Sequence, residues 1–417
     1  MQPSAFRPLL LLALPMAPAA AWQGSVLVVD QVGGPGSQFT SIVDAVAAAV
    51  DGDVILVRPG GYQPFVVDGK ALVIEGDTPP GAGPSLIYTD LHPTIRNLPV
   101  GESVVLRGFR MDAGLAPALQ LEVRDCAGSV LLEDLHLSGG GPCLTVQQCD
   151  AVVLARCTFD GKDSVPAGET GAGIEAAGSS LFIYECAISG GAGTDGFFTS
   201  WPIAGEDALR IESGLLFASG TVFSGGSGGA GGGPGIFGTC SYGADGGDGL
   251  VLGAGAPTAT TFDCPLQGGA GGAGFSTLCL AGSSGSPLVV TSGSHTKIPG
   301  THGTVITTSP VREGYASQLV VWGPLGNSVL LLISPAARVH YYAEFPGVLV
   351  PDLSLSTLVA LGSTPPSGYL AVTFVVGDLP PGVLASGLYL QVAFVDPSMT
   401  QVTLGAPSHL LQLDQSL

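Results

Sequence analysis

The sequence predicts an all-β protein in which a solenoid of short stacked strands precedes a small antiparallel β-sandwich-like domain. Three observations carry this prediction: a strand repeat between residues 130 and 268, an amphipathic helix with a following strand near residue 40, and a change of texture after residue 305. The composition agrees with a folded chain, since 46% of the 417 residues are apolar and only 11% are charged.

The first residues have the features of a secretory signal peptide. Arg7 gives a positive start, residues 9–16 form a short apolar run, and Ala19 to Ala21 give a small-residue cleavage site. We therefore expect residues 1–21 to be a signal peptide and the protein to be secreted or attached to the cell surface. The apolar run is too short to cross a bilayer, and no later segment is long enough without interruption.

The segment 39–67 predicts a helix followed by a strand. Apolar residues recur at helical spacing from Ile42 to Val50, and Ser41 with Asp44 three residues later suggests a capping box. An Asp-Gly-Asp turn then leads into a strand from Val54 to Val57, which a Pro-Gly-Gly sequence ends.

Five segments align on a shared closing glycine. The glycines are Gly139, Gly161, Gly190, Gly225 and Gly268. Apolar residues two and four positions before most of these glycines, with a polar residue directly before each glycine, have the period of a strand with one buried face. A second set of strand-like segments lies between them. The growing separations of 22, 29, 35 and 43 residues predict one solenoid coil plus lengthening insertions at one corner.

The segment FTSIVDAVAAAVDGDVILVRPGGYQPFVV (39–67) closely resembles the opening of pectin-lyase-like right-handed β-helix proteins, in which an amphipathic helix caps the first coil. This resemblance implies a right-handed parallel β-helix over residues 22–300. The polar, Gly-rich segment 291–303 is the expected boundary. Residues 305–417, with apolar strands separated by Pro- and Gly-containing turns, are expected to form the β-sandwich-like domain.

The Gly-rich stretch 222–240 is expected to belong to the β-helix and not to an interdomain linker. Val222 and Phe223 end a coil strand, and Phe223 is predicted to point inward beneath Ile188. The glycines that follow would let the backbone fold tightly on itself outside the stack, with its hydrogen bonds made within the insertion or to water.

All eight cysteines follow the expected cleavage site, and an even number in a secreted chain suggests disulfides. Neighbouring coils lie about 4.8 Å apart, so equivalent positions can pair. The candidate pairs are Cys157 with Cys186, Cys126 with Cys149, and Cys240 with Cys279. Stacked reduced thiols in the core are an equally good interpretation of the first pair.

Charged residues five positions before the closing glycines form an outward column that includes Asp134, Arg156 and Glu185. Such a ladder could bind sugar or calcium, but a surface salt-bridge ladder is the favoured interpretation. Resemblance to pectin-cleaving families implies clustered acids with a basic residue. The candidate catalytic groups are therefore acids at Asp134 and Glu185, with Asp150 and Asp160 as alternatives, and bases at Arg156 or Arg210.

One metal motif occurs. The segment 190–198 fits a calcium-binding nonapeptide with Asp195 as ligand. It stands in a single copy in a chain where Gly pairs are frequent, so chance similarity is the favoured explanation. No cofactor is firmly implied, and calcium is the ion that suits the acidic composition.

The charge balance limits the class of partner. A net charge of −20, with 13 basic and 33 acidic residues, argues against nucleic acid. The favoured hypothesis is a secreted, non-catalytic β-helix with a structural, adhesive or polysaccharide-binding role. The alternatives are a polysaccharide lyase or glycoside hydrolase acting on acidic glycans, and a calcium-stabilised or ice- or surface-binding solenoid that uses a flat Gly/Ser/Thr face.

Overall fold

The computed structural model describes residues 24–77, 85–88, 92–112, 120–161, 171–196, 201–232, 241–276, 279–342 and 345–417. The chain divides into two compact units between Gly300 and Thr301. The first unit spans Leu27–Gly300, and the second contains Thr301–Leu417.

The first unit consists of three parallel sheets that the chain visits in turn. Sheet I contains Val26–Val29, Val54–Val57, Val73–Gly76, Ser103–Arg107, Ser129–Glu133, Ala151–Ala155, Ser179–Tyr184, Gly214–Ser219, Thr258–Phe262 and Ser294–Ile298. Sheet II contains Gly61–Tyr62, Ser85–Tyr88, Phe109–Asp112, His136–Gly139, Thr158–Gly161, Ala187–Ser189, Val222–Ser224 and Leu266–Gln267. Sheet III contains Val66–Asp68, Thr94–Arg96, Leu121–Arg124, Leu144–Gln147, Ile174–Ala177, Leu209–Ile211, Leu250–Leu252 and Leu288–Val290. The predicted right-handed parallel β-helix is confirmed.

The register of sheet II follows the alignment on closing glycines. Leu137 pairs with Phe159, Phe159 with Ile188, and Ile188 with Phe223. All four side chains are buried, and Phe223 has no exposed surface. The insertions all lie between sheets II and III, so the lengthening of the repeat leaves the stack of coils undisturbed.

The first coil carries the predicted helix, Ile42–Ala48. It buries Ile42, Ala45 and Val46 against the inner core, whereas Val43 and Val50 are exposed. Ser41 occupies the N-cap position with an extended backbone but makes no side-chain capping bond, so the predicted capping box is wrong. The strand Val54–Val57 has the predicted bounds.

The corner between sheets I and II is a single residue with left-handed backbone, repeated from coil to coil. The residues in this conformation are Asp134, Arg156, Glu185, Gly220 and Asp263, with φ between 52° and 62°. Four of these residues are not glycine and bear the cost of this backbone conformation, about 1–3 kcal/mol each. The charged column predicted from the sequence is therefore the outer edge of this corner.

The residue after each corner points inward, and where it is Cys or Thr its side chain hydrogen-bonds to the backbone of the stack. The Cys157 N–H donates to Cys186 Sγ at 3.3 Å, and the Cys186 N–H donates to Thr221 Oγ1 at 3.3 Å. The thiols and hydroxyl donate in turn to the carbonyl two residues earlier, as Cys186 Sγ does to Tyr184 O at 3.3 Å. Cys149 and Ser179 make the same arrangement at the corner between sheets III and I.

These cysteines are free thiols, so the predicted disulfides between Cys157 and Cys186 and between Cys126 and Cys149 are wrong. Each thiol instead donates a hydrogen bond to the carbonyl two residues earlier. For Cys157 and Cys186 this agrees with the alternative interpretation, in which reduced thiols stack in the core. Burial raises the pKa of the Cys157 thiol well above its usual value. Cys279 is disulfide-bonded, whereas its predicted partner Cys240 lies outside the described residues, so that pairing stays a prediction.

The second unit is a sandwich of mostly antiparallel sheets. One sheet contains Thr304–Thr307, Ala316–Trp322 and Tyr369–Val375. The other contains Val311–Arg312, Ser408–Leu413, Ala385–Val395, Ser328–Ser334, Thr357–Ser363 and Val402–Leu404, and a separate pair is Ala337–Tyr341 with Val348–Pro351. Apolar side chains such as Val321 and Phe394 pack between the two sheets.

No helix within the described part of the chain is long and apolar enough to cross a membrane.

Candidate functional site

The Gly-rich insertions form an ordered, hydrogen-bonded lattice on the corner between sheets II and III. We call it the polyglycine lattice. It has three outward-running segments (190–196, 225–231 and 268–274) and three returning segments (201–208, 241–249 and 279–286). Hydrogen bonds between segments recur every third residue: Gly190, Gly193 and Gly196 donate to Ser224, Ser227 and Ala230. A three-residue period with no internal hydrogen bonds is that of a polyproline II helix.

The outward-running segments form one layer, and the returning segments form a second layer that faces it. Each segment bonds to neighbours in both layers. The Gly228 N–H donates to Ala270 O of the next outward-running segment at 2.8 Å. The Gly229 N–H donates to Ile203 O of the preceding returning segment at 3.0 Å. The described glycines of the lattice avoid the positive-φ region, as a left-handed polyproline II helix requires.

In the outward-running segments 225–231 and 268–274, two of every three residues are glycine, and each of these glycines faces a neighbouring backbone. A Cβ on Gly228 would lie 2.0 Å from Ala244 O, and one on Gly229 would lie 1.9 Å from Thr194 O. The expectation that this stretch folds tightly on itself is therefore wrong. The segments extend away from the coils, and their N–H groups bond to other insertions because no side chain separates the backbones.

The third residue of each triplet points out of the lattice, and several aspartates at this position accept a backbone N–H from the next coil. Asp195 accepts from Ala230 at 2.7 Å, and Asp245 accepts from Ser283 at 2.6 Å. The other two bonds of this kind join Asp207 to Asp248 N at 2.8 Å and Asp248 to Ser286 N at 2.6 Å. These carboxylates thus accept hydrogen bonds from the N–H groups at the third position of the triplet, which do not take part in the backbone bonds between segments.

This geometry gives Asp195, the predicted calcium ligand, a structural partner. Its carboxylate bonds a backbone N–H of the adjacent segment. Across the described ranges, no group of three or more His, Cys, Asp or Glu side chains is arranged to hold a metal ion.

Large side chains of the lattice lie at the end farthest from the coils. Trp201 is 72% exposed, Tyr242 49%, Phe275 48% and Leu280 73%. The Phe275 N–H donates to Ser241 O at 3.0 Å, so the end of the third outward-running segment is joined to the second returning segment beside Tyr242. The described part of the lattice thus carries a group of exposed apolar side chains at its outer end.

Two of the predicted catalytic residues, Asp134 and Arg156, meet in an ion-pair cluster at the corner of sheets I and II. Arg156 Nε lies 3.0 Å from Asp134 Oδ1, and its guanidinium also contacts Glu133. Arg107 lies 2.8 Å from Asp134 and 3.6 Å from Glu133, whose side chain has no exposed surface. The sequence analysis missed Glu133 and Arg107, although both precede the corner directly.

The electrostatics of this cluster favour a structural role. Burial lowers the pKa of the Arg156 guanidinium, but the charges of Glu133 and Asp134 outweigh it and raise the pKa above its usual value. An arginine so placed keeps its proton and is a poor general base. The favoured interpretation of the column, an ion-pair ladder, fits this geometry, although the cluster is more buried than a surface ladder.

The remaining candidates occupy other corners and strands. Glu185 occupies the equivalent corner one coil further on. Arg210 lies on sheet III, where it pairs with Asp207 at 2.6 Å and approaches Glu212 at 4.0 Å. Arg210 is also in register with Glu175 on the adjacent strand, which the sequence analysis did not single out.

Glu175 has a perturbed titration. Its pKa is raised mainly by burial; Arg210 opposes this, and nearby acids including Glu206 and Asp207 add to it. Of the alternative acids, Asp150 directly precedes the strand Ala151–Ala155, and Asp160 lies on the strand Thr158–Gly161, where it accepts a hydrogen bond from Ser189 Oγ at 3.0 Å.

Comparison with known proteins adds little to this geometry. No family model matches the chain, and no curated protein matches it. Among solved structures, ORF18 of Geobacillus virus E2 is similar, with 10% sequence identity and a TM-score of 0.32 over 85% of this chain and 78% of that chain. A similarity at this level carries no functional argument.

Proposed function

We propose that the protein is a secreted, non-catalytic β-helix of the pectin-lyase-like kind that binds polysaccharide at or outside the cell surface. The observation that carries this proposal is the polyglycine lattice, a hydrogen-bonded extension of the coils whose described part carries exposed Trp201, Tyr242, Phe275 and Leu280. Exposed aromatic and apolar side chains gathered at one place mark a site of interaction.

The charge pairing of the predicted catalytic residues supports a non-catalytic role. Arg156 and Asp134 neutralise one another together with Arg107 and Glu133. A residue that removes a proton from a sugar needs a pKa close to the working pH. A buried arginine paired with two carboxylates has a pKa far above that and stays protonated.

The test is a binding and turnover assay on one sample. The full chain is incubated with insoluble neutral polysaccharides and with uronic-acid polymers, with and without calcium, and both bound protein and released oligosaccharide are measured. We expect retention on at least one polysaccharide with no released product. Retention on none would overturn the proposal, and so would release of oligosaccharides.

A second candidate function, a lyase or hydrolase acting on acidic glycans, is favoured by one observation. Glu175, with its raised pKa, lies in register with Arg210 on the outer face of sheet III. A carboxyl group whose pKa is raised above its usual value is suited to act as a general acid. If this alternative holds, Glu175→Gln abolishes product release and Arg156→Ala, on a different corner, leaves it unchanged.

A further inference from the structure

The outward third positions of the returning segments form rows that run from coil to coil. The Gly205 N–H donates to Asp245 O, and the Gly246 N–H donates to Ser283 O, which places Ala204, Asp245 and Ser283 side by side. One triplet farther from the coils, the equivalent residues are Trp201, Tyr242 and Leu280. The Gly243 N–H bond to Leu280 O, at 3.1 Å, fixes the last two as neighbours.

This distal row differs in chemistry from every other row of the same layer. The inner rows contain Ala204, Asp245 and Ser283, then Asp207, Asp248 and Ser286. The distal row contains two aromatic residues and a leucine, each about half exposed or more. Exposing large apolar side chains opposes the hydrophobic effect at about 25 cal/mol per Å², so their concentration in one row requires a reason other than stability.

We propose that Trp201, Tyr242 and Leu280, with Phe275 beside them, form a binding edge for the sugar rings of a neutral polysaccharide. The assignment rests on the proposed polysaccharide binding and names its surface and ligand class. The C–H faces of pyranose rings are apolar and pack on aromatic side chains, which supply large, rigid contact areas at low entropic cost. A row set by backbone hydrogen bonds presents these side chains at regular spacing to a repeating ligand.

Charge decides between neutral and acidic polymers. Arg210 is the only Lys or Arg between Lys162 and Lys297, so no basic side chain belongs to the lattice. Exposed Asp195 and Asp245 lie in the same lattice, and a uronic-acid polymer would meet like charge. The oxygens of Asp245 and the hydroxyl of Ser283 suit the hydroxyl groups of an uncharged sugar.

The test compares two aromatic pairs by affinity gel electrophoresis of the full chain. The probes are soluble β-glucan, xyloglucan, galactomannan and polygalacturonate. The variant is Trp201→Ala with Tyr242→Ala. The matched control is Trp322→Ala with Tyr369→Ala, an exposed pair in the second unit whose ring centres lie 5.1 Å apart.

We expect at least tenfold weaker binding to a neutral polysaccharide in the lattice variant, wild-type affinity in the control, and unchanged thermal unfolding in both. Wild-type affinity in the lattice variant, or loss of binding only in the control, overturns this inference and leaves the proposed function standing. Preference of the wild-type protein for polygalacturonate also overturns it. A wild-type protein that binds none of the four probes overturns the proposed function together with the inference.

Discussion

Replacing Gly229 by alanine tests whether the lattice depends on glycine for close packing of backbones. The added Cβ would lie 1.9 Å from Thr194 O, whereas ordinary contacts begin near 3.4 Å. The two segments must therefore separate by about 1.5 Å, since 3.4 − 1.9 = 1.5. Glycine is required at this position because a backbone, which cannot rotate away as a side chain can, faces it.

The magnitude follows from the bonds that such a separation breaks. Three bonds join the two segments beside this contact: Gly193 N–H to Ser227 O, Gly196 N–H to Ala230 O, and Ala230 N–H to Asp195 Oδ1. At about 1 kcal/mol each, their loss destabilises the lattice by about 3 kcal/mol, or roughly 100-fold in local opening.

The assay is native-state amide exchange, which measures the free energy of opening at each N–H. The matched control is Ser227→Ala, whose side chain is exposed and whose effect we expect to stay within about 0.5 kcal/mol. Equal exchange rates in the Gly229→Ala and Ser227→Ala proteins would refute the packing argument.

Three further predictions concern the coils. Arg156→Ala leaves the buried Glu133 with Arg107 as its described ion-pair partner and should lower the free energy of unfolding by about 3–5 kcal/mol; a loss below about 1 kcal/mol in denaturant titration would contradict this. Cys186→Ser should keep the corner hydrogen bonds, whereas Cys186→Val should cost about 1–3 kcal/mol; equal melting temperatures for the two variants would count against the thiol's role. Burial raises the pKa of Glu175 in the folded state, so its ionisation destabilises the protein as pH rises through the unfolded and then the folded pKa. Glu175→Gln should therefore raise the melting temperature at pH 7 and have a smaller effect at pH 3, and the reverse order would contradict the shift.

Much of the fold could be predicted because aligning the sequence repeats also aligns the residues that pair between neighbouring strands. The closing glycines align Leu137, Phe159, Ile188 and Phe223 as they pair in sheet II. The strand period and the position of the insertions follow from the same alignment. These features are local, and a solenoid repeats them with every coil.

The lattice was not predicted, although the sequence carried a signal for it. Glycine stands at two of every three positions in GGSGGAGG (225–232), with a small residue at the third. A loop would not need that period, but a threefold helix with two packed sides does. The many backbone N–H groups of these insertions each need a hydrogen-bond acceptor. The acceptors belong to other insertions, so the sequence of one insertion does not identify them.

The candidate site shows a different limit. The column of Asp134, Arg156 and Glu185 was found from spacing, but Glu133 and Arg107 were missed because they occupy strand positions that the alternating pattern assigns to neither face with certainty. Likewise, the stacked cysteines lie at disulfide distance as a consequence of the coil spacing, whereas their role is to bond the backbone at the corner. The sequence repeat shows which coil position each of these residues occupies. Their hydrogen-bond and ion-pair partners depend on how neighbouring coils stack, which the repeat alone does not give.

The central claim is that the Gly-rich insertions form a hydrogen-bonded lattice, and site-resolved amide exchange over residues 225–229 tests it most directly. The N–H groups of Gly225, Gly226, Gly228 and Gly229 all donate to neighbouring segments, whereas the N–H of Ser227 has no acceptor among the described residues. We predict slow exchange at the four glycines and fast exchange at Ser227, a period of three in the protection pattern. Uniformly fast exchange across these five residues would contradict the lattice.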